Sequence, residues 1–357
     1  MRFRLATLLL ASCLGACAAT TGPTSLPTEV LVVLDQQERA LRLVAVDSTA
    51  TTVTIPLGTT VGSPTTLAVR GTKAAVGMNA GGLILIVDLV THQVVAQIVT
   101  SLGDNSPIAS IAFSEEGDGY AASPVANLVT RFTTAGAAEQ INGLTQGPQA
   151  FGMARGRVFF VNGNRLGCYP VQVSCANNAS WLAPFERGKN PLDSIPLIGP
   201  GNAVAAVTSS DGLLYVLNAG NGGTVEGRLS AVDPVRQREV ASYGGLGVAP
   251  TYMVSDGGDR LLIASAAEGL MVFNTRTREL ERGAGSGIPL LQPRGLASDG
   301  LGRSYVVEAG SCTVAGGAGR VRVFGSDLVE RRTIATGVCP VAAAITEIQA
   351  DLFPPLN

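Results

Sequence analysis

Short apolar runs of about four to eight residues recur along this chain, and glycine, aspartate, asparagine and serine separate them. The stretch that follows Pro64 shows the unit: TTLAV, AAVGMN, LILIVDL and QVVAQIVT, with RGTK, AGG and VTH between them. Runs of this length that are rich in Val, Ile and Leu and bounded by turn-forming residues are typical of β-strands. Because no stretch shows sustained helical periodicity, the pattern predicts an all-β chain.

The four-strand unit repeats, and each copy begins near a proline. These prolines are separated by 43, 41, 52, 50, 43 and 47 residues: Pro64, Pro107, Pro148, Pro200, Pro250, Pro293 and Pro340. A fixed period in this range indicates a β-propeller or a solenoid. Since four antiparallel strands make one propeller blade, the repeat favours a propeller in which each proline opens an innermost strand.

The two ends of the repeat region are incomplete in complementary ways. Residues 29–56 supply three strands with no innermost strand before them, whereas VAAAITEI after Pro340 is an innermost strand with nothing after it. Together they complete one blade, which predicts seven blades and a ring closed by pairing the N-terminal and C-terminal strands. We therefore expect one propeller domain over residues 29–350, followed by a short tail at 351–357.

The strand motifs LILIVD at 83–88 and LYVLN at 214–218, with a proline at each blade start, resemble the YVTN and LVIVD families of propeller repeats. The resemblance covers essentially the whole of residues 29–350. It implies the propeller fold and no particular activity, because propellers of this kind serve as enzymes, binding subunits and surface scaffolds alike.

The first seventeen residues, MRFRLATLLLASCLGAC, combine two arginines, an apolar stretch and small residues before a cysteine. This layout is typical of a secretory signal. The segment LGAC resembles the lipobox of bacterial lipoproteins, which predicts palmitate-type lipidation of Cys17 and a flexible tether at 18–28. It also predicts attachment to the cell envelope, at the outer membrane or the cell surface, with the periplasmic side as the alternative. LASC, ending at Cys13, also fits the pattern. Cleavage near Ala18 to release a secreted protein is the other alternative.

The charge balance limits the partners. The precursor carries 25 basic and 27 acidic side chains, and its formal net charge is −2. A balance of this kind provides no basic surface for nucleic acid, so we expect no nucleic-acid partner.

Four cysteines remain if Cys17 is lipidated and Cys13 is removed with the leader, and an exported protein can oxidise them. Cys312 falls in a loop between second and third strands, and Cys339 falls in the connection into the closing strand, so both lie on one face of the ring and predict a disulfide. Cys168 and Cys175 are close enough in sequence to form a second one. The spacings do not match zinc sites.

Histidine chemistry is nearly absent, because His92 is the one histidine of the chain and falls in a predicted turn far from the central channel. We therefore predict no catalytic residues of the histidine-dependent kinds. A second set of polar residues ends the predicted second strands: Asp35, Asn79, Asn162, Asn218 and Glu308, with Ser123 and Ser265 at the two other positions.

Oxygen ligands of this kind suit Ca²⁺, Mg²⁺ or Mn²⁺, and gluconolactonase-type propellers hold a metal at the channel with acid and amide side chains. The alternative is that these residues cap strand ends by bonding to the neighbouring backbone. No cofactor other than such an ion is indicated. Arg294, which follows Pro293, could meet an anionic ligand at the channel mouth, or it could pair with Glu308 or Asp299.

Three blades are enlarged. Two carry glycine-rich extensions, AGNGGTVEGR and AGSCTVAGGAGR, between their second and third strands, on the face where the prolines lie. A third has CANNASWLAPFERGKNPLDS, in which Trp181 and Phe185 form either a local core or a docking site. We expect a lipid-anchored binding or scaffold protein for a protein, peptide or glycan partner. The alternative is a metal-dependent hydrolase of a lactone or similar ester.

Overall fold

A computed structural model describes residues 27–47, 53–59, 62–100, 107–141, 143, 145–163, 179–188, 193–313 and 317–349. In these residues 28 β-strands form seven four-stranded antiparallel sheets. The sheets are the blades of a seven-bladed β-propeller, which confirms the fold expected from the repeat. None of the described residues forms a helix long and apolar enough to cross a membrane.

Each blade is given from its innermost to its outermost strand. Blade 1 contains β28 (Pro340–Gln349), β1 (Pro27–Asp35), β2 (Ala40–Ala45) and β3 (Val53–Pro56), and blade 2 contains β4 (Pro64–Arg70), β5 (Lys73–Met78), β6 (Leu83–Asp88) and β7 (Gln93–Val99). Blade 3 contains β8 (Ser110–Phe113), β9 (Gly119–Ser123), β10 (Leu128–Phe132) and β11 (Ala138–Ile141), and blade 4 contains β12 (Pro148–Ala154), β13 (Arg157–Asn162), β14 (Ala179–Phe185) and β15 (Ile195–Pro200). Blade 5 contains β16 (Ala203–Thr208), β17 (Leu214–Asn218), β18 (Arg228–Asp233) and β19 (Arg238–Tyr243), and blade 6 contains β20 (Pro250–Ser255), β21 (Arg260–Ser265), β22 (Gly269–Asn274) and β23 (Glu279–Arg282). Blade 7 contains β24 (Pro293–Ser298), β25 (Ser304–Glu308), β26 (Arg320–Phe324) and β27 (Glu330–Ala335).

The ring closes in blade 1, where the C-terminal strand β28 pairs with the N-terminal strand β1. Their antiparallel register runs from Pro27 opposite Gln349 to Asp35 opposite Pro340. The predicted pairing of the two ends is thus confirmed. Because the closing blade takes strands from both ends of the chain, opening the ring requires breaking a long strand pairing and not only one interface between blades.

The second and third strands of each blade are buried on both faces against neighbouring blades, which explains why they are apolar at most positions. In β1, Val30, Val32 and Leu34 pack toward blade 2, whereas Leu31 and Val33 pack toward blade 7. Successive side chains of a strand point to opposite sides, so a strand with a neighbour on each side needs apolar residues at every position. Seven apolar clusters of this kind fill the spaces between adjacent blades.

The two faces of the ring differ in the loops that form them. We define the upper face as the one where the innermost strands begin; it carries the connections into those strands and the loops between second and third strands. The lower face carries the turns between first and second strands and those between third and fourth strands. Since β1 begins opposite the end of β28, the segment before Pro27 joins the propeller at the lower face.

The proline repeat marks the blade starts with two exceptions. Five prolines open innermost strands: Pro64, Pro148, Pro250, Pro293 and Pro340. Pro107 lies three residues before β8, and Pro200 is the last residue of β15, so blade 5 begins at Ala203 and not at Pro200 as expected. Proline suits the first residue of an innermost strand because the ladder is irregular there and no N–H is required of it.

Trp181 and Phe185 do not lie in an insertion, as the sequence suggested, but within β14 of blade 4. The Phe185 ring stacks on Phe160 with centroids 5.3 Å apart, and Tyr120 of blade 3 lies 6.1 Å from Phe185. The pair therefore belongs to the apolar cluster between blades 3 and 4. The extra residues of blade 4 fall between β13 and β14, almost entirely outside the described residues.

Candidate functional site

The two glycine-rich extensions lie on the upper face, as expected, in the loops 219–227 and 309–319. The Gly227 N–H donates to the Gly247 carbonyl at 2.7 Å, and the Gly319 N–H donates to the Gly337 carbonyl at 2.9 Å. Both glycines also lie directly against the proline that opens the next blade, because a Cβ at either position would overlap Pro250 or Pro340. The loops thus dock on the neighbouring blade through a contact that only glycine permits.

A disulfide joins Cys312 to Cys339, which confirms that predicted pair. It connects the 309–319 loop of blade 7 to the segment that leads into β28, the strand that closes the ring. The Gln37 side-chain amide donates to the Cys312 carbonyl at 3.4 Å, so the loop after β1 contacts the backbone next to the disulfide. Cys168 and Cys175 lie outside the described residues, and their pairing stays a prediction.

The polar residues at the ends of the second strands hold the backbone that enters their own blade. Asn162 accepts from the Gln146 N–H at 2.7 Å, Ser265 donates to the Val248 carbonyl at 2.8 Å, and Glu308 accepts from the Leu291 N–H at 2.8 Å. In each case the partner precedes the proline of the innermost strand by two residues. These contacts support the alternative that the residues cap strand ends.

Blade 2 departs from the expected set. By register, Met78 pairs with Pro64 in the way that Asn162 pairs with Pro148, so Met78 and not Asn79 occupies the equivalent position. Asn79 follows one residue later, is exposed, and accepts from the Ser63 N–H at 2.7 Å. The one-residue difference could not be seen in the sequence because both residues end the same apolar run.

Arginines already neutralise the two carboxylates of this set. Glu308, which is 2% exposed, accepts from Arg320 Nε at 2.6 Å and from Arg322 Nη1 at 3.2 Å. Asp35 is fully buried, pairs with Arg42 and accepts from the Gly337 N–H at 3.1 Å. Burial raises the pKa of Asp35, and the bonds from Arg42 and Gly337 partly oppose that shift.

The remaining members are amides and hydroxyls. Asn218 donates to the Ser230 hydroxyl at 3.0 Å, while its own Oδ1 and the Ser123 hydroxyl are buried with no partner in the described part of the chain. Across the described ranges no three His, Cys, Asp or Glu side chains come together in a group that could hold a metal ion. The predicted divalent ion therefore finds no such ligand set in these residues, and the contacts favour a structural role for Asp35 and Glu308.

Of the two alternatives considered for Arg294, pairing with a carboxylate is not observed among the described residues. Arg294 pairs with neither Glu308 nor Asp299, because Arg320 and Arg322 occupy the first and Arg303 occupies the second. Instead, Arg294 is exposed at the second position of β24 and lies beside Tyr252 of the neighbouring blade. Among the residues described, it has no carboxylate partner.

Arg294 and Tyr252 line an open depression of about 560 Å³ on the upper face, between blades 6 and 7. Gln292, Ser311 and Cys312 line it as well, so the Cys312–Cys339 bond lies at its margin. Burial raises the pKa of the Tyr252 hydroxyl, and the nearby positive charge of Arg294 partly opposes the shift. The hydroxyl is therefore a neutral donor at neutral pH, next to a fixed positive charge.

Sequence reasoning missed Tyr252. A usable signal was present, because Tyr252 is the one tyrosine in the innermost strands of the described structure. Its partner Arg294 stands in the neighbouring strand one position closer to the strand start, which became meaningful only when the two strands were placed side by side.

His92 lies in the turn after β6, at the outer rim of the ring, as expected from its position in the repeat. Its Nε2 is buried without a partner in the described structure, beside a groove that Leu57 and Gln97 also line. The histidine is therefore placed away from the innermost strands and from the Arg294 depression.

Comparisons with known proteins identify the fold. No protein-family model matches the sequence, and no curated protein matches it in sequence. Among solved structures, hydrazine synthase from Kuenenia stuttgartiensis superimposes with a TM-score of 0.62 at 13% identity over 83% of this chain and 97% of that one.

Two other propellers are similar to a comparable degree. Apo AztD from Citrobacter koseri gives a TM-score of 0.60 at 8% identity, covering 90% of this chain and 99% of that one. A catalytically inactive virginiamycin B lyase from Staphylococcus aureus with quinupristin gives 0.58 at 12% identity, covering 75% and 83%. At identities this low, a common fold does not imply a common activity. The comparisons therefore support the seven-bladed β-propeller fold of this chain and assign it no activity.

Proposed function

We propose that this protein is a lipid-anchored binding protein of the bacterial cell envelope, with blades of the YVTN or LVIVD type. It holds an anionic group of a protein, peptide or glycan partner in the depression on its upper face. The observation that supports this function is the exposed Arg294 guanidinium, which lies beside Tyr252 and has no carboxylate partner among the described residues.

The surroundings of Arg294 suit an anion. A guanidinium presents several N–H donors in a plane and binds carboxylates in a bidentate manner. Tyr252, Gln292 and Ser311 add neutral hydrogen-bonding groups around the same depression. Glu308 lies close to Arg294 in the strand pairing of blade 7, but it is buried and already bonded to two arginines. It therefore does not compete with an anionic ligand for Arg294.

Replacing Arg294 with alanine should weaken binding of an acidic polymer about tenfold or more, because a hydrogen bond to a charged group contributes roughly 1.5–3 kcal/mol. The probes are polygalacturonate for an acidic glycan and poly-L-glutamate for an acidic peptide, with binding measured by calorimetry at low and high salt. Arg294→Lys should bind with intermediate strength, since it keeps the charge but not the planar donor pair.

The matched control is Arg236→Ala, which removes an exposed arginine from a lower-face turn and should leave binding unchanged. The polymer that binds identifies the partner class. Failure of both polymers to bind the intact protein, or equal binding by the Arg294 and Arg236 variants, would contradict the proposal.

Lipid attachment at Cys17 is the second part of the proposed function. Because the chain joins the propeller at the lower face, a tether that ends before β1 would leave the upper face directed away from the membrane. Cells that express the full chain should incorporate labelled palmitate into this protein, and Cys17→Ala should abolish the label. Loss of label in Cys13→Ala alone would move the anchor to Cys13, and unlabelled protein recovered from the medium would indicate secretion.

A further inference from the structure

The outermost strand of blade 2, β7, differs from the outermost strands of the other blades. In the described structure each of these strands pairs with a neighbour along one edge only, so its other edge is free. Strand β7 has seven residues, whereas the others have four or six, and its sequence QVVAQIV contains neither a charged residue nor a proline. Each of the others has a proline or a charge: Pro56 in β3, Glu139 in β11, Pro196 and Pro200 in β15, Arg238 and Glu239 in β19, Glu279, Glu281 and Arg282 in β23, and Glu330, Arg331 and Arg332 in β27.

These features matter because a free edge presents unpaired N–H and C=O groups to other chains. Short strands, charges and prolines are the usual means of keeping such an edge from pairing, and propellers normally leave only short, protected edges. Strand β7 has none of the three. Its ladder with β6 is irregular between Val94 and Ala96, so the regular part of the free edge runs from Ala96 to Val99.

One side of β7 is also uncovered. By register, Gln97 lies opposite Leu85 and Val99 lies opposite Leu83, and both leucines belong to the cluster between blades 1 and 2. Side chains of directly opposite residues point to the same side of a sheet, so Gln97 and Val99 face blade 1. The outermost strand of blade 1, β3, has only four residues, and Val99 remains 66% exposed.

An open groove of about 570 Å³ lies on this side of β7. Blade 1 contributes residues 56–59 to it, and blade 2 contributes His92, Gln93, Val94 and Gln97. None of these lining residues is an aspartate, glutamate, lysine or arginine. A strand placed beside β7 would therefore meet uncharged groups at the edge and in the groove.

Charge and symmetry indicate what covers this edge. A charged strand would find no opposite charge on β7, whereas a second β7 strand brings no charge either. Two copies of one strand can pair antiparallel about a two-fold axis, which uses the free edge of each copy and closes the assembly at a dimer. The exposed valines suit such a pairing, because β-branched side chains fit the pleated surface of a sheet.

We propose that β7 pairs with the β7 strand of a second copy of this chain, which joins the two four-stranded sheets of blade 2 into one continuous sheet. Side chains of the second copy occupy the groove beside Gln97. A single strand pair makes a small interface, so the dimer forms in a concentration-dependent way. The interface lies at the outer rim of blade 2, away from the Arg294 depression, and it is independent of the function proposed above.

Sedimentation of the purified protein at increasing concentration should show a mass that rises from the monomer toward the dimer and no further. Amide hydrogen exchange in Gln93–Val99 should slow as the dimer forms, because the free edge becomes hydrogen-bonded. Val99→Lys should raise the dissociation constant about tenfold or more, since it places a charge in the strand pair of both copies, where like charges repel.

The matched control is Val240→Lys in β19, a strand that already carries Arg238 and Glu239, at a valine that is 43% exposed. It should leave the dissociation constant unchanged, and both variants should melt like the intact protein because both side chains are exposed in the monomer. Three results would overturn the proposal: a monomer at every concentration, equal dissociation constants for the two variants, or slow exchange of β7 in the monomer, which would mean that another segment of the same chain covers the edge.

Discussion

Replacing Cys312 and Cys339 together with serine should lower the free energy of unfolding by about 3.5 kcal/mol, the chain-entropy value for a bond between residues 27 apart in sequence. The physical reason is that the bond restricts the unfolded chain. In the folded protein it also holds the 309–319 loop to the segment that leads into β28, the strand that completes the ring. Chemical denaturation of the intact and double-serine proteins measures the effect.

Single replacements separate the contribution of the disulfide to stability from the contribution of the local packing of each cysteine. Cys312→Ser and Cys339→Ser should each cost about as much as the double change, because either one removes the same bond. A reducing agent should destabilise the intact protein more than the double variant, and any effect that remains in the variant would report the predicted Cys168–Cys175 bond. Equal stability of the intact and double-serine proteins would contradict a stabilising role.

Glu308→Gln should cost about 2 kcal/mol, because it replaces the charged acceptor of the hydrogen bonds from Arg320 and Arg322 by a neutral amide, and a hydrogen bond to a charged group contributes roughly 1.5–3 kcal/mol. Glu308 is 2% exposed and bonds to Arg320, Arg322 and the Leu291 N–H, so the change would weaken the pairing of β25 with β26 and the connection into β24. The free energy of unfolding of the purified propeller measures the loss.

Glu330→Gln is the matched control, because Glu330 also pairs with Arg322 but its side chain is 38% exposed. Exposed ion pairs contribute up to about 1 kcal/mol, so this variant should lose much less stability than Glu308→Gln. The polymer-binding assay should show no effect in either variant. If Glu308→Gln proved as stable as Glu330→Gln, the structural role of Glu308 would be wrong and a role toward a ligand would regain support.

The fold could be predicted from the sequence because the second and third strands of each blade are buried on both sides and are therefore apolar at most positions. The run that forms β1, Val30 to Leu34, shows this pattern, and the count of incomplete strands at the two ends was sufficient to predict how the ring closes. The exact ends of the strands were harder to predict from the sequence. Pro200 was misplaced by three residues because β15 and β16 follow one another with only a short connection between them.

The candidate site was predictable only in part. The positions of Asp35, Asn162, Asn218 and Glu308 at strand ends followed from the repeat, but their partners did not. Arg320 and Arg322 lie on the third strand of the blade, and their pairing with Glu308 depends on the register between β25 and β26. A pattern of residue types carries no information on that register. The sequence therefore could not distinguish a Glu308 that binds a metal ion from a Glu308 that pairs with arginines.

By itself, the sequence determined the all-β class, the seven blades, the closing strand pair and the face on which Cys312 and Cys339 meet, because these depend on hydrophobic periodicity and on the order of repeats. Only the tertiary structure decided which polar groups are satisfied. Among the described residues, Glu308 is bonded to two arginines, whereas Arg294 has no carboxylate partner. These differences arise from side chains brought together across strands and blades, where hydrogen bonding depends on distances of a few tenths of an ångström and not on residue type.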